Sequence, residues 1–134
     1  MARLRSRDER GVSVVEFALL TPVLVIVVFA TVQFAMYFFA RHVAIAAAQA
    51  GARTARIEAD RNPGGWQADA QAKAMSYVGQ LGPRLLEGAT ATAVTQPGDI
   101  VGVRVTGRVP RILPLIPDIV VTSQGPVERF VPDQ

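Results

Sequence analysis

Glu16 is the residue whose position calls for a chemical explanation. It is the only charged side chain between Val12 and Ala40, a stretch reading VSVVEFALLTPVLVIVVFATVQFAMYFFA. A carboxylate in so apolar a setting is costly to desolvate, which makes it a functional candidate by default. The bland alternative is that it reaches back to the interface, only four residues from the preceding basic segment. No other residue set offers a comparable reading. His42 is the only histidine and stands beside Arg41, and the chain has no cysteine. A histidine cluster, a thiolate metal site and a disulfide are therefore all excluded. Asp60, Asp69, Asp99 and Asp118 show neither metal-ligand spacing nor a paired-carboxylate motif, and no GxxxxGK run cradles a phosphate. Catalysis, a cofactor, a bound metal and a small-molecule substrate are not expected; an enzyme dependent on Asp99 or Asp118 is the catalytic alternative.

The element that must position Glu16 is a helix. The 24 residues from Phe17 to Ala40 carry no charge, and as a helix they span roughly 36 Å, against a hydrocarbon core of about 30 Å. A cleaved secretory signal has a shorter apolar region leading into a small-residue cleavage site. A buried soluble helix would need a partner layer on every side, which the polar-leaning remainder cannot supply. A membrane span is the expectation that remains, with Pro22 introducing a kink near its start. Net charge is +3, but Arg3, Arg5, Arg7 and Arg10 lie in the first ten residues. The rest of the chain is close to neutral. That distribution points to a basic segment held in the cytoplasm by the positive-inside tendency, and not to nucleic-acid binding.

Beyond the span, residues 41–61 are rich in alanine and are expected to continue the helix out of the membrane. Small residues recur every fourth position as Ala40, Ala44, Ala48, Ala52 and as Ala47, Gly51, Ala55, Ala59, two smooth stripes that let another backbone approach closely. The neighbour is either the protein's own small domain or another subunit. Asn62-Pro63-Gly64-Gly65 ends a helix that begins near Val12. Trp66, Ala70, Ala74, Tyr77, Val78 and Leu81 then mark a short amphipathic helix over residues 66–81.

After Gly82-Pro83 the apolar period changes to two. Val101, Val103, Val105 and Val109 alternate with Gly102, Arg104, Thr106 and Arg108, a half-buried strand. Gln96-Pro97-Gly98-Asp99 folds Ala89–Thr95 back on it as a hairpin, and Asp118–Ser123 supplies a third strand. Residues 110–117 (PRILPLIP) hold three prolines and cannot be a central strand. Their four aliphatics are expected to tuck under a sheet edge, with a docking surface for a partner or the bilayer as the alternative. The fold expected is α+β and membrane-anchored. It comprises a basic leader (1–11), a transmembrane helix (12–40), its continuation outside the membrane (41–61) and a small domain (62–134) with a mostly antiparallel three-stranded sheet.

Arg10-Gly11-Val12-Ser13-Val14-Val15-Glu16-Phe17 places a glycine after a basic leader and a glutamate five residues later, followed by an aromatic. This resembles the type IV prepilin processing site in its tight-adherence (Tad) form. The N-terminal half, RGVSVVEFALLTPVLVIVV followed by ARHVAIAAAQAGARTAR, resembles the TadE-like family of pilus-assembly proteins. A weaker likeness to short TadE-like proteins extends to the hairpin and to Gly125-Pro126-Val127-Glu128-Arg129-Phe130. The resemblance implies a pilin-like minor pseudopilin, cut between Gly11 and Val12 by a prepilin peptidase, with Glu16 and Phe17 serving assembly. Pro22, Ala44, Ala48, Gly51 and Ala55 would serve helix packing. The implied partners are the membrane, the peptidase and other pilin or pseudopilin subunits. The protein would be a single-pass protein of the cell membrane with a cytoplasmic N-terminus and an extracytoplasmic C-terminal domain. Cleavage would create an α-amino group at Val12 able to neutralise Glu16 of a neighbouring helix at low dielectric. The alternative is an uncleaved, membrane-anchored binding module.

Overall fold

The computed structural model describes residues 5–129 and 131. Phe130, which belongs to the C-terminal likeness, lies outside them, as does Arg3 of the leader. A single helix, α1, runs from Arg5 to Arg61 over 57 residues, about 86 Å at 1.5 Å per residue. It starts seven residues before the expected Val12. Residues 5–10 contain good helix formers, and Gly11 alone costs only about 1 kcal/mol, too little to stop a helix that continues for 50 more residues. Pro22 lies inside α1, which carries on beyond it to Arg61.

Asn62 turns the chain. Its carbonyl accepts the N–H of Gly65 and of Trp66, both at 3.1 Å, and α2 (Trp66–Leu81) returns along α1. Three strands follow, β1 (Glu87–Gln96), β2 (Ile100–Arg108) and β3 (Ile119–Pro126), antiparallel in the spatial order β1-β2-β3. The register sets Ala93 against Val103 and Val103 against Ser123. The β1–β2 turn uses Gly98 at φ 89°, a conformation that glycine adopts without the Cβ penalty. These elements agree with those expected from periodicity, and the fold is α+β.

Burial alternates along the strands. Val101, Val103 and Val105 face inward while Arg104 and Arg108 face out. The inner face meets a helical layer in which Ala40, Ala44, Ala47, Ala48 and Ala55 of α1 and Ala70 and Ala74 of α2 are fully buried. Trp66, Val78, Leu86, Val109 and Ile119 complete this core. Both small-residue stripes are therefore occupied within the protomer. Gly51 shows why small residues are needed there. A Cβ at that position would stand 2.9 Å from the Ala70 carbonyl oxygen and from Val103 Cγ2, so α1, α2 and β2 converge where no side chain fits.

Candidate functional site

From Ser13 to Val32 every residue of α1 except Ala30 is exposed. Phe17 is 73% and Leu24 64% accessible. Twenty residues cover about 30 Å, the thickness of a hydrocarbon core. Soluble monomers rarely expose contiguous apolar surface of this extent. Thr21 and Thr31 do not interrupt it, because each hydroxyl donates to a carbonyl one turn earlier, Phe17 at 2.7 Å and Val27 at 2.8 Å.

Gly11 and Glu16 lie at the near end of this surface. Both are exposed, and a Cβ on Gly11 would meet nothing within 4 Å. They share an open groove with Val15 and Leu19. The backbone of Val12 is helical, so the Gly11–Val12 bond lies within α1; the side chain of Val12 lies outside the described residues. Among the described residues Glu16 enters no ion pair. Cutting at Gly11 would require the helix to open locally, and a glycine lowers that cost.

The far end of the apolar surface is set by a residue that sequence reasoning passed over. Gln33 is 1% exposed, the one buried polar side chain among the described residues. Its Oε1 accepts the N–H of Ile112 at 2.7 Å and of Leu113 at 3.3 Å, and its Nε2 donates to the Pro110 carbonyl at 3.2 Å. Loop 110–117 is thus fastened to α1 eight residues before Arg41, deep in what the sequence reads as the span. The small domain, from here on the head, covers one face of α1 from this level upward. Met36 and Tyr37 also pack on the head's core. The signal was present in the sequence. A lone amide in an apolar run needs more partners than a one-turn back-bond provides.

The loop's aliphatics divide, so the expectation that all four tuck under a sheet edge holds for two. Leu113 and Ile116 are half-buried, whereas Ile112 and Leu115 are exposed. Arg111 and Asp118 close the loop with an ion pair at 3.0 Å. Asp99 sits at the opposite end of the sheet, bound by Arg129, so Asp99 and Asp118 do not form one site. At that distal end Arg56 pairs with Glu128 at 2.7 Å and donates to the Pro126 carbonyl, while the Glu128 N–H returns to the Arg56 carbonyl. The C-terminal segment is thereby tied to the last turns of α1.

One apolar helix long enough to cross a membrane, a lone carboxylate near its start and a three-stranded head packed on its second half make an α+β protein with a candidate membrane span. Residues 11–53 match the family model described as TadE-like protein, as the glycine, the glutamate and the alanine-rich continuation implied. The matched segment begins at Gly11 and ends at Arg53, before α2 and the sheet, so the likeness covers the apolar helix and part of its continuation and leaves the head outside it. Neither the curated proteins nor the solved structures give a match.

Proposed function

We propose that the protein is a minor pseudopilin taking part in assembly of a Tad-type type IV pilus, crossing the cell membrane once through α1 with its head outside the cytoplasm. The observation that carries this reading is the TadE-like match beginning at Gly11, with Glu16 exposed five residues further on at the start of the lipid-length surface. A prepilin peptidase cuts after Gly11. The new amino group at Val12 of one subunit then pairs with Glu16 of another, where low dielectric strengthens the attraction. Because the two groups differ in height along the helix, the pairing sets an axial stagger between subunits. The role is assembly and not catalysis.

A second reading is favoured by the continuity of α1 from Arg5 through the Gly11–Val12 bond. In it the leader stays attached and the protein is a permanent anchor for a binding head. The intact mass and N-terminal sequence of membrane-extracted protein, expressed with and without a prepilin peptidase, separate the two. A peptidase-dependent start at Val12, abolished by Gly11→Val, supports the pseudopilin; a start at Met1 or Ala2 in both samples rejects processing and leaves the anchor.

A further inference from the structure

Loop 110–117 is built for a poorly hydrated environment. Three of its eight residues are prolines and have no N–H, and Ile112 and Leu113 give theirs to Gln33. Three backbone donors, those of Arg111, Leu115 and Ile116, remain for water or lipid headgroups, which suits a segment in the interface and not one in hydrocarbon, where every donor would need a partner. Leu115 sits at φ 71° with 96% of its surface exposed. A leucine in the left-handed region is strained, because its Cβ crowds the following carbonyl oxygen, and here that conformation holds an aliphatic side chain outward into open space.

The position of the loop says what covers it. Gln33 lies 20 residues beyond Ser13, about 30 Å along the helix, so a bilayer spanned from Ser13 reaches the loop's anchor. At the same level but on faces of α1 that the head leaves free, Phe34, Phe38 and Phe39 are 60%, 54% and 56% exposed. Apolar surface therefore lies on both sides of the molecule at one height, and Arg41 and His42 follow it about one turn above. A protein partner would cover one side; a bilayer interface meets both, with aromatic rings at headgroup level. Charge agrees. Among the described residues at this end of the head, Arg84, Arg108 and Arg111 outnumber Glu87 and Asp118, which suits the phosphates of a lipid surface.

We infer that loop 110–117 is immersed in the interface of the leaflet on the head's side, with Leu115 at its tip, so that the head is seated on the bilayer at two places and is not held off on a stalk. This rests on α1 spanning the membrane, and the test separates the two claims. The cysteine-free chain accepts single labels, and Leu115→Cys, Leu24→Cys and Val120→Cys all replace exposed side chains. The full-length variants, carrying an environment-sensitive fluorophore, are reconstituted in phosphatidylcholine–phosphatidylglycerol vesicles containing doxyl-labelled lipid. The label at 24 should be quenched by deep doxyl groups and the label at 115 by shallow ones. Iodide quenching at 115 should be several-fold below that at 120 on the sheet's outer face. Quenching at 24 by lipid, with 115 as open to iodide as 120, overturns the loop's immersion and leaves the span intact. An aqueous label at both 24 and 115 overturns both. Ile112→Cys, on the same loop, repeats the measurement should Leu115→Cys fold poorly.

Discussion

Replacing Gln33 by leucine isolates the contact that joins the apolar helix to the head. Leucine is of similar volume, has high helix propensity and partitions better into lipid, so a helix that merely spans would gain from the change. The structure requires a loss. Gln33→Leu removes an acceptor from the Ile112 and Leu113 N–H groups and a donor from the Pro110 carbonyl, all at a site where the side chain is 1% exposed. At about 1 kcal/mol net for each hydrogen bond, the loop loses roughly 3 kcal/mol. At 1.4 kcal/mol per factor of ten that is about a hundredfold more frequent loop opening. Amide hydrogen exchange of the protein in lipid nanodiscs reads this directly. Ile112 and Leu113 should exchange faster by about two orders of magnitude, while Val103 and Val105, in the central strand, keep their protection. Exchange at Ile112 and Leu113 within about threefold of the parent protein would refute the reasoning, because the loop would then be held by something other than Gln33.

Gly51→Ala puts a methyl group 2.9 Å from the Ala70 carbonyl oxygen and 3.0 Å from Ala74 Cβ; overpacking of this kind costs about 1–3 kcal/mol, and thermal denaturation of the head should shift down by roughly 5 °C or more. Glu16→Gln should leave membrane insertion intact and reduce recovery of pilus subunits on co-purification, and undiminished recovery would remove Glu16 from assembly. Arg56→Ala should cost no more than about 1 kcal/mol, since the Arg56–Glu128 pair is half-exposed, yet limited proteolysis should cut sooner within residues 127–131, and unchanged cleavage would show that the backbone bond from Glu128 to Arg56 suffices.

What the sequence disclosed and what it withheld follow from the kind of signal each element carries. The bounds of α2 and the inward valines of β2 rest on strict periodicity, which survives in any structure that buries one face. The stripes through Ala44, Ala48, Gly51 and Ala55 disclosed close approach without disclosing the neighbour, since a smooth face looks the same whether it awaits its own domain or another subunit. The structure puts Ala70, Ala74 and Val103 against them. Gln33 was legible in principle. Counting charges passed over it, because an uncharged amide barely lowers the hydropathy of the run. The division of the loop, with Leu113 in and Leu115 out, was not legible, as alternation has no meaning in a segment broken by three prolines.

The placement of the head limits how α1 can meet other subunits. Above Gln33 one face of the helix is consumed by the core, where the alanines are fully buried, so no neighbour reaches the small-residue stripes without displacing α2 or the sheet. From Ser13 to Val32 every position but Ala30 is exposed, and this is where Glu16 lies. In the proposed assembly, lateral packing between helices would therefore fall on the apolar segment from Ser13 to Val32, and the head would set the spacing of what packs beneath it. A carboxylate near the start of that segment can choose the stagger of a neighbour, because in hydrocarbon an unpaired charge costs more than almost any helix–helix contact returns. The division of labour along one helix is thus physical. Its second half folds with the head through close-packed small residues, and its first half keeps a large apolar surface and one exposed acid.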